Sequence, residues 1–184
     1  MKEQTLIITT EWLKDKNACR TGCDWFKAQT ETGGIVIIKK LVAENHWSWA
    51  NWTIVRLMTY NQYVRYAVFA AEQVIEIFEK QYPNDKRPRN AIDAAKKCIE
   101  NPSPENKAAA AAAAAAAYAY AYAAYAAAYA AAAAAYAAAA AAYADAYADA
   151  YAAAAAAAAA AVYADAMRKK IIEYGIKLLE ADNA

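Results

Sequence analysis

Tryptophans and arginines are the residues in this chain best suited to hold a ligand. Trp47, Trp49 and Trp52 fall within six residues, and Trp12 and Trp25 precede them. Stacked indole and phenol rings grip a planar ligand, and a guanidinium can hold an anionic group beside it. On that chemistry the candidate ligand-binding residues are Trp49, Trp52, Arg56, Tyr63, Arg65, Arg87 and Arg89. Arg65 stands between Tyr63 and Tyr66, and on a helix these three cannot all face one way, so at least one is exposed. The simpler reading of so dense a tryptophan set is helix packing, where most such rings are used.

The thiols offer less. Cys19 and Cys23 are four apart, so they can share a helical face, and His46 is the only imidazole. A structural zinc site needs four ligands, usually with closer cysteine pairs, and only Cys98 remains as a fourth. Buried structural thiols are the simpler account. A nucleophile pair of Cys19, Cys23 or Cys98 with His46 is formally available. No cysteine, however, is marked by a helix start or by a cationic neighbour beyond Arg20. The expectation is a non-catalytic protein with no metal, no cofactor and no catalytic residue.

Composition narrows the classes further. Over 184 residues, 20 Lys and Arg meet 19 Asp and Glu, which leaves no electrostatic footprint for a nucleic-acid polymer. Four Gly and two Ser give little material for a phosphate loop or a serine nucleophile. Three cysteines are an odd count that suits a reduced compartment, and the N-terminus lacks a secretory pattern, so a cytoplasmic protein is expected. The 61% hydrophobic content would suggest a membrane protein, but 57 of those residues are alanine. Residues 108–144 carry no charge and are long enough to span a bilayer, yet they hold no Leu, Ile, Phe or Val to drive insertion.

The elements that must position the aromatic residues read as helices. Thr10 is placed to cap a first turn, and a second short helix holds Cys19, Trp25 and Phe26. After Gly33-Gly34, the run GIVIIKKLV suits a strand by β-branched content and a helix by its neighbours; helix is favoured because no partner strand is evident. Thr59 and Gln62 have capping-box spacing, and Val64, Val68, Ala71, Ile75 and Phe78 then form one apolar face of a helix ending near Tyr82-Pro83. Pro88 opens the next helix, which buries Ile92, Ala95 and Ile99. Ser103-Pro104-Glu105 starts another.

That last start leads into 59 residues, 108–166, of which 45 are Ala and ten are Tyr. One straight helix of that length would run about 88 Å. A compact chain of this size is only roughly 40 Å across, so a hairpin folded back on the body is expected. Tyr122, Tyr129, Tyr136 and Tyr143 repeat every seven residues, and the step then shortens to four through Tyr147 and Tyr151. Residues 130–146 are therefore the candidate turn. An amphipathic helix closes the sequence, with Met167, Ile171, Tyr174 and Leu178 on one face. The expected fold is all-α: a helical body over 1–102, with an Ala/Tyr-rich hairpin and a C-terminal helix over 103–184 packed on it as one domain.

Several strings carry a family resemblance: NACRTGCDWF, WANW, and RLMTYNQYVRYAVFAAEQVIEIFEKQYPNDKRPRNAIDAAKKCIENP, followed by the Ala-rich helices and a basic amphipathic end. They resemble small all-helical immunity proteins of bacteria and phages, of the Imm-5-like type. The core of the resemblance is Arg56 to Pro102, including the helix start Arg87-Pro88-Arg89-Asn90-Ala91-Ile92. The resemblance implies toxin neutralisation or phage–host conflict in a bacterial or phage-infected cytoplasm. The function expected from it is sequestration of a protein partner or of a small anionic, nucleotide-like immune signal. The alternatives are an oligomerisation module joined through its Tyr–Ala seam and a Cys/His enzyme.

Overall fold

The computed structural model describes residues 6–118, 136–141, 151, 154 and 164–181. The fold is all-α. Among the described residues the helices named here are α1 (Thr10–Asp15), α2 (Arg20–Lys27), α3 (Gly34–Ala43), α4 (Trp47–Leu57), α5 (Tyr60–Glu72), α6 (Ile75–Gln81), α7 (Arg87–Glu100), α8 (Pro104–Tyr118) and α9 (Ala164–Ala181). An isolated antiparallel bridge pairs Ile7 with Gly33 just before α3.

Local chemistry sets the helix ends. Thr9, rather than the expected Thr10, caps α1, its hydroxyl accepting from the Trp12 amide at 3.1 Å. Both α1 and α3 end in a Schellman turn with asparagine in the left-handed region, Asn17 at φ 55° and Asn45 at φ 61°. Ala18 N donates to Leu13 O and His46 N to Leu41 O, each at 2.8 Å, which satisfies carbonyls left over at the helix ends. These reversals aim the chain into α2 and α4. The GIVIIKKLV run is helical, as favoured.

The capping box at Thr59 is present, and Gln62 has a second use. Its side-chain oxygen accepts from Thr59 N at 2.7 Å, while its Nε2 donates to Leu178 O in α9 at 2.7 Å. The helix expected to run from Thr59 through Phe78 is instead two, parted at Gln73 and Val74. Amides there bond three residues back, Val74 to Ala71 and Ile77 to Val74, so the last turn of α5 tightens and releases. Val64, Val68, Ala71, Ile75 and Phe78 are nonetheless all buried, because the break conserves the apolar face while redirecting the chain. In α7 Pro88, Ala91, Ile92, Ala95 and Cys98 are buried, so Ile92 and Ala95 lie in the core as expected, whereas Ile99 is only partly covered and Cys98 takes the buried place beside it.

The core sits where α9 crosses α4 and α5. Ile54, Tyr66, Ile171 and Leu179 are all at most 1% exposed. Gly175 lies at the closest point, where an added Cβ would stand 2.8 Å from Tyr66 Cε2 and 2.9 Å from Ile54 Cγ2. Tyr66 donates its hydroxyl to Asn51 Oδ1 at 2.8 Å. Helix α7 packs on α5 on one side and on α8 on the other. Met167, Tyr174 and Leu178 of the expected α9 face are half-buried, while Ile172 joins Ile171 in the core.

Within the Ala/Tyr tract, residues 136–141 are helical, so no turn lies among them. Ala137 to Ala141 are buried within the single chain, and Ala141 O accepts the Tyr60 hydroxyl at 2.6 Å. The Tyr136 and Tyr151 rings stack at 6.3 Å. The rest of the expected turn interval 130–146, the hairpin, and the heptad positions Tyr122, Tyr129 and Tyr143 lie outside the described residues.

Candidate functional site: an indole-walled pocket

Helices α1 to α4 converge on a pocket of about 280 Å³. Its lining includes the aliphatic Ile8, Leu13, Ile37 and Leu41 and the aromatic Phe26, Trp25, Trp49 and Trp52. Its polar lining consists of Asn17, Cys19, Ser48 and Thr53; no charged side chain lines it. Such a cavity, apolar with a few polar groups at fixed places, is the usual form of a small-molecule site.

The walls are held by neighbours rather than by the pocket itself. Trp25 Nε1 donates to Glu44 Oε2 at 2.7 Å. His46 stacks on Trp49 with ring centroids 4.4 Å apart and planes 22° apart. Trp12 meets Trp52 edge-on at 5.8 Å, and the Arg56 guanidinium lies 4.2 Å from the Trp52 ring centroid. Thr53 is 4% exposed and spends its hydroxyl hydrogen on Trp49 O at 2.8 Å.

Cys19 corrects the expectation that no thiol stands at a helix start. It is the N-cap of α2, its Sγ accepting from Gly22 N at 3.4 Å and lying 3.4 Å from the Thr21 hydroxyl. The Thr21 hydroxyl and then the Gly22 amide hold the thiol below its ordinary pKa, and the residue is exposed. Cys23 instead directs its thiol to Ala18 O at 3.8 Å. Cys98 is fully buried, and burial pushes its pKa up. Beside it, burial and then the thiol's charge push Tyr60 up to about 12. Among the described residues no three His, Cys, Asp or Glu side chains gather as metal ligands.

Of the seven residues anticipated from sequence, Trp49 and Trp52 line this pocket and Arg56 backs it through Trp52. The others lie on α5 and α7, away from its lining. Tyr63 packs edge-on against Tyr60 at 5.4 Å, and exposed Arg65 donates to Asn61 Oδ1 at 2.5 Å. Arg87 makes a two-pronged pair with Asp85, at 2.9 and 2.6 Å. Arg89 does the same with Glu79, at 2.8 and 2.6 Å, tying α7 to α6. These guanidiniums are used in the fold. Sequence reasoning left Trp25, Cys19 and Gly22 out of the candidate set; residue type was a signal for Trp25 alone.

The Arg89 pair yields a pH-dependent prediction. Hydrogen bonds from Arg89 hold the Glu79 carboxyl below its ordinary 4.5. Because the folded pKa is depressed, the stabilisation is fully present above that ordinary value and is lost as pH falls through the folded one. Arg89→Ala is expected to cost about 1 kcal/mol near neutral pH, the pair being about a third exposed. Urea midpoints of variant and parent should draw together as pH falls below 4.5 and through the folded value, where the Glu79 carboxyl takes up its proton.

The fold and pocket define the class: an all-α protein with an indole-walled cavity near its N-terminal helices. Compared with family models, curated proteins and solved structures, the chain gives no match. No helix among the described residues is long and apolar enough to cross a membrane.

Proposed function

We propose that the protein is a non-catalytic binding protein that sequesters a small planar molecule in the indole-walled pocket, in the immunity or anti-defence setting that its sequence strings resemble. The observation that carries this reading is the pocket lining: three indoles, Phe26 and aliphatic side chains around about 280 Å³. The uncharged lining favours a neutral ligand over the anionic, nucleotide-like one expected from the arginines, because a buried phosphate needs cationic or amide partners. Burial of Ala137 to Ala141 inside one chain uses that part of the Tyr–Ala seam as core, which weighs against the oligomerisation module.

The test is a titration with the neutral fluorophore N-phenyl-1-naphthylamine. Saturable quenching of tryptophan emission at one equivalent is expected, and Trp52→Ala should weaken binding by at least about tenfold, about 1.4 kcal/mol. Unsaturable quenching, or a Trp52→Ala variant that binds like the parent, removes the reading. Ligand carried through purification should be recovered unchanged after heat denaturation; a chemically converted compound would replace sequestration by catalysis.

A further inference from the structure

The pocket wall contains a nucleophile. We propose that this pocket captures neutral, planar α,β-unsaturated carbonyl compounds by reversible conjugate addition to Cys19. The inference rests on the pocket reading above and adds the ligand's reactive group to it.

Three observations combine. Cys19 is part of the pocket lining, so a ligand lying among the indoles meets its thiol. Gly22 leaves open the space between thiol and indole: a Cβ there would stand 3.2 Å from Cys19 Sγ and 4.0 Å from Trp49 Cε2. A ring laid along Trp49 therefore places a conjugated substituent beside the sulfur. The Gly22 amide and Thr21 hydroxyl are hydrogen-bond partners for a sulfur anion at the start of an eight-residue helix. An aryl enone suits all three conditions, being flat for the indoles, uncharged for the lining and a soft acceptor for sulfur.

The step balances without an added oxidant or reductant. The Cys19 thiol releases its proton to water, and the sulfur electron pair forms a bond to the β-carbon. The C=C π pair shifts to make an enolate, which takes one proton from water at the α-carbon. In the reverse direction the α-proton leaves, the C–S bond breaks and thiolate departs, returning the ligand intact. Capture is thus a form of sequestration rather than turnover. Cys23 is an internal comparison, since its thiol faces the Ala18 carbonyl and does not line the pocket.

The experiment uses the full chain with 4-phenyl-3-buten-2-one and its saturated analogue 4-phenyl-2-butanone, read by intact mass, peptide mapping and tryptophan quenching. One adduct is expected, at Cys19, forming at least about tenfold faster than at Cys23 and with a rate that saturates with enone concentration. The saturated analogue should slow it competitively. Cys19→Ser, which keeps a good N-cap and hence the helix, should form no adduct at this position, while Cys23→Ser, outside the lining, should bind the saturated analogue and label at Cys19 like the parent. If the analogue binds but labelling at Cys19 is linear in concentration or no faster than at Cys23, capture is wrong and the pocket reading stands. If the analogue neither quenches nor competes, both are wrong.

Discussion

Gly175→Ala is expected to destabilise the protein by about 2 kcal/mol, although alanine is the better helix former. The new methyl would enter a space bounded by Tyr66 Cε2 at 2.8 Å and Ile54 Cγ2 at 2.9 Å. Neither neighbour is the loose end of an exposed chain. Both are fully buried, and Tyr66 is further pinned by its hydrogen bond to Asn51. Relief must come from separating α9 from α4 and α5, and overpacking of this kind costs about 1–3 kcal/mol. Removing a mid-helix glycine returns only about 0.5–1 kcal/mol. The urea midpoint should fall with an unchanged slope. In an Ile54→Ala background the same substitution should cost less, since one of the two obstructing atoms has gone; additive costs would show that the crossing is looser than the structure has it.

Tyr66→Ala should cost more, about 4 kcal/mol, by opening a cavity at the centre of the same crossing. Tyr66→Phe keeps the ring and should cost about 1 kcal/mol, the contribution of the hydroxyl's bond to Asn51. Alkaline pH separates these contributions. Burial raises the Tyr66 pKa far above its ordinary 10, so the folded state holds that proton where the unfolded chain has lost it. The resulting stability is fully present below pH 10 and declines as pH rises toward the folded value. Tyr66→Phe removes this group's share of the decline, so the gap between parent and variant should narrow above about pH 10. Tyr60, raised to about 12, adds in both proteins a decline of its own that ends near that pH. Circular dichroism across an alkaline titration gives the comparison; a gap that stays constant with pH would mean that Tyr66 ionises as readily in the folded core as in the unfolded chain.

Features governed by near neighbours were legible in the sequence. The capping box of Thr59 and Gln62, Pro88 in the first turn of α7 and the Ser103-Pro104 start each need only three or four consecutive residues, and each is present. The α5–α6 break was hidden because buried residues continue at helical spacing straight through it. The fate of the arginines depended on acidic partners near the α6–α7 connection. Asp85, two residues before Arg87, was a readable signal, whereas Glu79 reaches Arg89 only after the chain has turned. The pocket was half legible. Trp49 and Trp52 announced themselves by type, but Trp25 and Cys19 join them only when α1 to α4 are assembled. Cysteine is also an unusual N-cap, so the start of α2 carried no familiar mark.

The bridge made by Gln62 has a temporal side. Its amide reaches Leu178 O across 116 residues of sequence, and α9 covers the same α4–α5 surface. At about 5–20 residues per second, a ribosome needs on the order of ten seconds to make that interval. For that time Ile54 and Tyr66 lack the helix that buries them, and the nascent chain exposes its stickiest surface. Expression yield should therefore respond to chaperones that shield emerging apolar chain, and a stop codon before Ile171 should leave a product that aggregates rather than a smaller folded protein.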